Sequence, residues 1–87
     1  LVYIGHGAVV GDRVWISAST SLAGHSRAEA DALVGIGTTV IDNVAIASGA
    51  LVGAGSVVTR STEPGGKVAG VPARPIPTLR RFGPTPR

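Results

Sequence analysis

Few residues in this 87-residue chain have side chains suited to chemistry. It holds two histidines, His6 and His25, and no cysteine, so thiolate catalysis and disulfides are excluded by composition. Imidazole has a pKa of about 6.5 and accepts a proton at neutral pH without heavy tuning, which makes a histidine the natural general base here. Two segments expose backbone rather than side chain: Gly35-Ile36-Gly37 and Gly53-Ala54-Gly55, whose central residues lie 18 positions apart. Glycines on both sides leave the main chain open to close approach by a ligand. The single tryptophan, Trp15, offers the largest ring for contact with a ligand or a neighbour.

These residues must be positioned by something, and the sequence says what. An aliphatic residue returns every sixth position at Ile4, Val10, Ile16, Leu22, Val34, Val40, Ile46, Val52 and Val58, and the frame slips only at Ala28. Four residues after each of these positions comes a small or compact one: Ala8, Val14, Thr20, Ser26, Ala32, Thr38, Val44, Ala50, Ser56. A period of six fits neither a helix, at 3.6, nor an alternating strand, at 2. It fits a coil of short strands joined by tight corners, the hexapeptide β-helix, with every sixth side chain turned into a narrow core. Three hexads make one triangular turn of 18 residues, and successive turns stack at about 4.8 Å. Residues 4–63 then give a little over three turns, with Val10, Ile16, Leu22, Val34, Val40, Ile46 and Val52 inside. Gly7, Gly37, Asn43, Gly49 and Gly55 fall at corners that need an unusual φ.

Three zones follow: a β-helix over 1–59, a capping segment over 60–76 and a basic tail over 77–87. The capping segment leaves the hexad frame, turns at Pro64-Gly65-Gly66 and folds back as an irregular strand over the open end of the coil. The tail, with three prolines, is a mobile end with at best a short helix over 78–82. The net charge of +3 divides unevenly, two arginines against four carboxylates up to residue 59 and six cations against Glu63 beyond it. With Phe82 its sole aromatic and no regular charge spacing, the tail predicts no nucleic-acid partner. No apolar run approaches membrane-spanning length and no leader pattern is present, so a cytoplasmic location is expected. The repeat is already running at Ile4 and Leu1 is no initiator, so the chain reads as the C-terminal piece of something longer, dependent on self-association.

The run from His6 to Gly24, the stretch LVGIGTTVIDNVAIASGALVGAGSVVT and the ending AGVPARPI resemble the left-handed β-helix acyltransferases. Within them the sequence is most similar to the sialic acid O-acetyltransferase and UDP-amino-sugar N-acetyltransferase group, over about residues 4–76. The resemblance implies an all-β, single-stranded left-handed parallel β-helix, against the usual right-handed crossover rule. It also implies a homotrimer with active sites in the clefts between prisms. The expected activity is transfer of an acetyl group from acetyl-CoA to an amino or hydroxyl group of a sugar or nucleotide-sugar, with no metal. By the same resemblance His6 is the general base, and Ile36, Ala54 and Trp15 line the acetyl-CoA groove. Arg60 and Arg74 fall at the nucleotide end and could meet its 3′-phosphate. The family often carries an acidic residue directly after the histidine; here it is Gly7. On hexad phase alone, His6 reads as a solvated corner residue; Trp15 is equally part of an apolar stripe with Leu33 and Leu51, and His25 is a surface residue about one turn above His6.

Two other functions compete. A zinc centre like that of the γ-class carbonic anhydrases, built on the same coil, needs three converging histidines, and Gly11 stands where the second of a GHxAxxH pattern would be. A non-catalytic trimerisation fragment of a transferase would keep the columns and lose the reaction.

Overall fold

The computed structural model describes residues 1–77 and is built entirely from short strands and turns. Ten two-residue strands follow one another at six-residue intervals: β1 (Tyr3–Ile4), β2 (Val9–Val10), β3 (Trp15–Ile16), β4 (Ser21–Leu22), β5 (Arg27–Ala28), β6 (Leu33–Val34), β7 (Thr39–Val40), β8 (Ala45–Ile46), β9 (Leu51–Val52) and β10 (Val57–Val58). Two more close the coil, β11 (Lys67–Ala69) and β12 (Arg74–Pro75). From β1 to β7 each strand pairs in parallel with the one three places on, and β9 pairs with β11, so the faces of the prism are β1-β4-β7-β10, β2-β5-β8 and β3-β6-β9-β11. Registers such as Tyr3↔Ser21, Val9↔Arg27 and Trp15↔Leu33 fix the turn at 18 residues. The result is a parallel β-solenoid of about four turns.

The interior is stacked in layers. Leu22, Ala28 and Val34 form one layer, and Val40, Ile46 and Val52 the next, each 0–1% exposed. Val58 and Val68 lie above them, both buried. Ile4, Val10 and Ile16 keep the same inward phase in the lowest turn. Even so, Ile4 and Val10 are 44% and 43% exposed and Ile16 half-buried, because no rung lies beneath them within the chain. Phase therefore predicts direction for these three, and the end of the stack decides their burial. The corner positions Thr20, Ser26, Thr38 and Ser56 are buried and satisfied: Ser26 Oγ donates to Ala23 O at 2.6 Å, Thr38 Oγ1 to Gly35 O at 2.8 Å and Ser56 Oγ to Gly53 O at 2.6 Å, each three residues back, while Thr20 Oγ1 donates to Gly35 O in the next turn at 3.2 Å.

Every corner from residue 7 to 55 has a residue at positive φ, recurring each sixth position. The expected Gly7, Gly37, Asn43, Gly49 and Gly55 are joined by Arg13, Ser19, His25 and Asp31, at φ 56–65°. Residue type alone would not have selected those four. The hexad geometry imposes the left-handed conformation on whatever residue falls there, at a cost that glycine escapes and that Asn, Asp and His bear more lightly than other residues.

The C-terminal segment departs from a simple cap. Lys67 and Val68 pair in parallel with Leu51 and Val52, so β11 is a regular further rung, set 16 rather than 18 residues above β9. The shortening arises because residues 59–66 cross the face of β2-β5-β8 without forming a strand. Two hydroxyls stand in for that missing strand: Ser61 Oγ accepts from Ala45 N at 3.0 Å and Thr62 Oγ1 from Ala47 N at 2.7 Å. The open edge of β8 is thereby covered by two side chains and one backbone bond, from Thr62 N to Ala45 O at 3.0 Å. Only β12 folds back, antiparallel to β11, with Ala69 opposite Arg74. The expected helix over 78–82 lies outside the described residues.

Candidate functional site

Three edges run along the prism, and the residues singled out above sit on two of them and on one face. Residues 6, 24 and 42 follow one another up the edge between the face of β1 and the face of β2. His6 is exposed at its lower end, and Gly24 lies one turn above it. The rungs are tied there by backbone bonds: His25 N donates to His6 O at 3.0 Å and Asn43 N to Gly24 O at 3.1 Å. The Gly24 N–H donates no hydrogen bond to any described residue.

His25 is exposed, as expected, but it is not isolated. Its ring meets that of His6 edge to face, with centroids 5.8 Å apart and planes at 89°. The spacing in sequence, 19 residues, is one turn plus one, which sets His25 above Gly7 rather than above His6 itself. A methyl group built on Gly7 would come within 2.5 Å of His25 Nδ1 and 2.7 Å of its Cε1.

Ile36 and Ala54 lie one turn apart on a different edge, between the face of β3 and the face of β1, and both are exposed. The flanking glycines have structural work of their own. A Cβ on Gly35 would stand 2.6 Å from Ala54 N and 2.8 Å from Val52 O, so close stacking of rungs requires glycine there. Gly37 and Gly55 hold the corner φ at +71°. Neither Ile36 N nor Ala54 N donates a hydrogen bond to a described residue, and Gly55 N donates to Ile36 O at 2.8 Å. Between this edge and that of His6 lies the whole β1-β4-β7-β10 face, six residues or at most about 20 Å of extended chain. A single prism thus keeps His6 apart from Ile36 and Ala54.

Trp15 lies on the outer side of the β3 face at 45% exposure, in register with Leu33, which is itself paired to Leu51. Those two leucines are each only 4% exposed within the chain. Arg60 and Arg74 do converge. Together with Lys67, Glu63, Ser61 and Thr62 they line a cleft of about 220 Å³ at the C-terminal end of the prism. Among the described residues no group of three His, Cys, Asp or Glu side chains could hold a metal ion. No helix among them is long and apolar enough to cross a membrane.

No protein-family model matches the chain. Serine acetyltransferase 4 of Arabidopsis thaliana is 39% identical over 83 residues, covering 86% of this chain and 23% of the relative. The chain spans between about a quarter and two fifths of the length of the curated relatives it matches. Among solved structures, PerB of Caulobacter crescentus, in complex with CoA and GDP-perosamine, superposes with a TM-score of 0.76 at 25% identity, over 86% of this chain and 51% of that one. The Arabidopsis UDP-N-acetylglucosamine acyltransferase superposes at 0.77 with 32% identity, over 79% of this chain and 24% of that one. A coil and its mirror image do not superpose, so these matches fix the hand: the solenoid is a left-handed β-helix.

Proposed function

We propose, for a chain that belongs to the hexapeptide-repeat left-handed β-helix acyltransferases, that it transfers an acetyl group from acetyl-CoA to a hydroxyl or amino group, with His6 as general base. The observation that carries this reading is the edge bearing His6, where an exposed imidazole lies one turn below a glycine whose N–H has no acceptor among the described residues. His6 takes the proton from the acceptor as its oxygen or nitrogen attacks the thioester carbonyl. The Gly24 N–H donates to the oxyanion of the tetrahedral intermediate. Collapse of that intermediate breaks the carbon–sulfur bond, and the departing CoA sulfur takes the proton back from the His6 imidazolium. No metal enters this scheme.

Acetyl-CoA binds along the edge of Ile36 and Ala54. The unpaired N–H groups at both positions support this placement, because an extended arm bearing amide carbonyls can accept from such a ladder. Trp15 lies on the face that adjoins this edge, and the cleft of Arg60, Lys67 and Arg74 supplies cations for phosphate. The separation of this edge from that of His6 supports assembly of the site between copies of the chain, as a homotrimer, each cleft taking His6 from one copy and Ile36 and Ala54 from its neighbour. The acceptor in this reading is a sugar or nucleotide-sugar, supported by the GDP-perosamine complex of PerB. A second acceptor, the hydroxyl of serine, is favoured by the curated relatives, which are serine acetyltransferases. The reaction is placed in the cytoplasm.

The test is thiol release from acetyl-CoA by the full chain, with L-serine and GDP-perosamine as trial acceptors, alongside calorimetry with CoA. CoA binding with activity lost in His6→Ala supports the reading. CoA binding with no acceptor used and no effect of His6→Ala leaves a binding scaffold without a reaction, and absence of CoA binding overturns the placement on Ile36 and Ala54.

A further inference from the structure

The contact between the two histidines has no place in the reaction described above. His25 sits at a corner where the backbone is held at φ +58°, and packing of the core does not require its ring, which is exposed. What it does touch is specific. It lies edge to face against His6 at 5.8 Å, and it fills the space that a side chain at residue 7 would enter, where a Cβ would be only 2.5 Å from Nδ1. Within 4 Å the three nearest atoms to that hypothetical Cβ all belong to the His25 ring. Gly7 and His25 are therefore sterically coupled: any side chain at residue 7 would require the His25 ring to turn away from its place against His6.

We propose that His25 is the positioning residue for His6, holding the imidazole in the orientation in which it can accept the acceptor's proton. A side chain as short and exposed as His6 has several rotamers open to it, and an edge-to-face partner restricts them. Aromatic contacts of this kind shift a rotamer population by about three- to tenfold, and misorientation of a base lowers the chemical step rather than substrate binding. A carboxylate is the usual orienting partner of an imidazole, and Asp at residue 7 would come from the neighbouring position on the same rung. This assignment rests on the reading of His6 as base.

The experiment uses the full chain in four forms: His25→Ala, His25→Phe, the double variant Gly7→Asp/His25→Ala, and His6→Ala as reference. His25→Ala should lower kcat for thiol release by about tenfold with KM for acetyl-CoA unchanged. His25→Phe, which keeps a ring at the contact, should recover most of that loss. So should the double variant, in which the space vacated by the imidazole admits the aspartate. In solution NMR, the ring protons of His6 should shift in His25→Ala, as the ring current of its neighbour is removed, and return in His25→Phe. If His25→Ala leaves both kcat and the His6 ring shifts unchanged while His6→Ala is inactive, the inference fails and the base assignment stands. Loss of activity in His25→Ala that neither His25→Phe nor the double variant recovers, with an unaltered melting curve, also overturns it. An active His6→Ala removes the base reading instead, and the NMR comparison alone then decides whether the two rings are held together.

Discussion

Layered packing makes a quantitative prediction at Leu22 and Ala28. In the layer above them the three interior residues are Val40, Ile46 and Val52; in their own they are Leu22, Ala28 and Val34, all 0–1% exposed. Leu22 is one carbon larger than valine and Ala28 two carbons smaller, so the leucine reaches into room that the alanine leaves. Leu22→Ala removes three carbons from a closed layer and should cost about 3–5 kcal/mol, transfer and cavity together. Ala28→Val alone adds two carbons between walls fixed by hydrogen-bonded rungs, and overpacking should cost about 1–3 kcal/mol. Leu22→Val alone should cost about 1 kcal/mol. The double variant Leu22→Val/Ala28→Val adds only one carbon net. It should fall within about 1.5 kcal/mol of the parent, with a favourable coupling of about 1 kcal/mol or more between the two sites. Because a domain of this size holds only about 4–13 kcal/mol in all, these differences are large on its scale. Urea denaturation at one fixed protein concentration reads them, with an unchanged slope confirming a common unfolded state. Strict additivity of the two single changes would mean that Leu22 and Ala28 do not share a layer, and the account of the core would fall with it.

Two further outcomes follow from the corners. Gly35→Ala would place a methyl 2.6 Å from Ala54 N and should destabilise the coil by more than Gly55→Ala, whose methyl meets no atom within 4 Å and pays only for φ +71°, about 1–2 kcal/mol; the order of the two melting midpoints checks this, and the reverse order would refute the tight stacking of rungs at Gly35. The Arg13–Asp31 pair, joined at 2.8 Å, holds the Asp31 carboxyl below its ordinary 3.8 through the hydrogen bond from the guanidinium, which is itself held up. A lowered folded-state value means that the stabilisation is present above pH 3.8 and is lost as pH falls through the folded value; the stability difference between the parent and Asp31→Asn should therefore be seen at neutral pH, close on acidification below 3.8, and shrink in about 1 M salt, since both side chains are exposed.

The sequence was most legible where side chains do the folding. Ile46, Val40 and Val52 announce the coil because each must enter the core once per hexad, and Thr38 and Ser56 mark the pinched corners because only small or compact side chains fit there. It was least legible where backbone does the work. Arg13, Ser19, His25 and Asp31 adopt a conformation that their residue types do not advertise, because corner geometry overrides local preference. Residues 61 and 62 read as part of an irregular cap, yet their hydroxyls replace a missing strand by accepting from Ala45 and Ala47. The pairing of His6 with His25 was hidden for a related reason. An offset of 18 finds the residue directly overhead, whereas the ring contact runs along an offset of 19, from the second corner residue of the upper rung to the first of the lower.

That offset also bears on how such a coil acquires a site. In each hexad one corner residue, at positions 6, 24, 36, 42 and 54 among others, has an N–H that donates to no described residue. Each edge is consequently a ladder of free donors at the spacing of the rungs, about 4.8 Å, whatever the side chains are. Such a ladder can hold an extended ligand, but it cannot by itself move a proton. Only a few positions need change to add that ability: one imidazole on the ladder, and one neighbour to hold it. In the proposed reaction that imidazole is His6, and the residue proposed to hold it, His25, comes from the turn above.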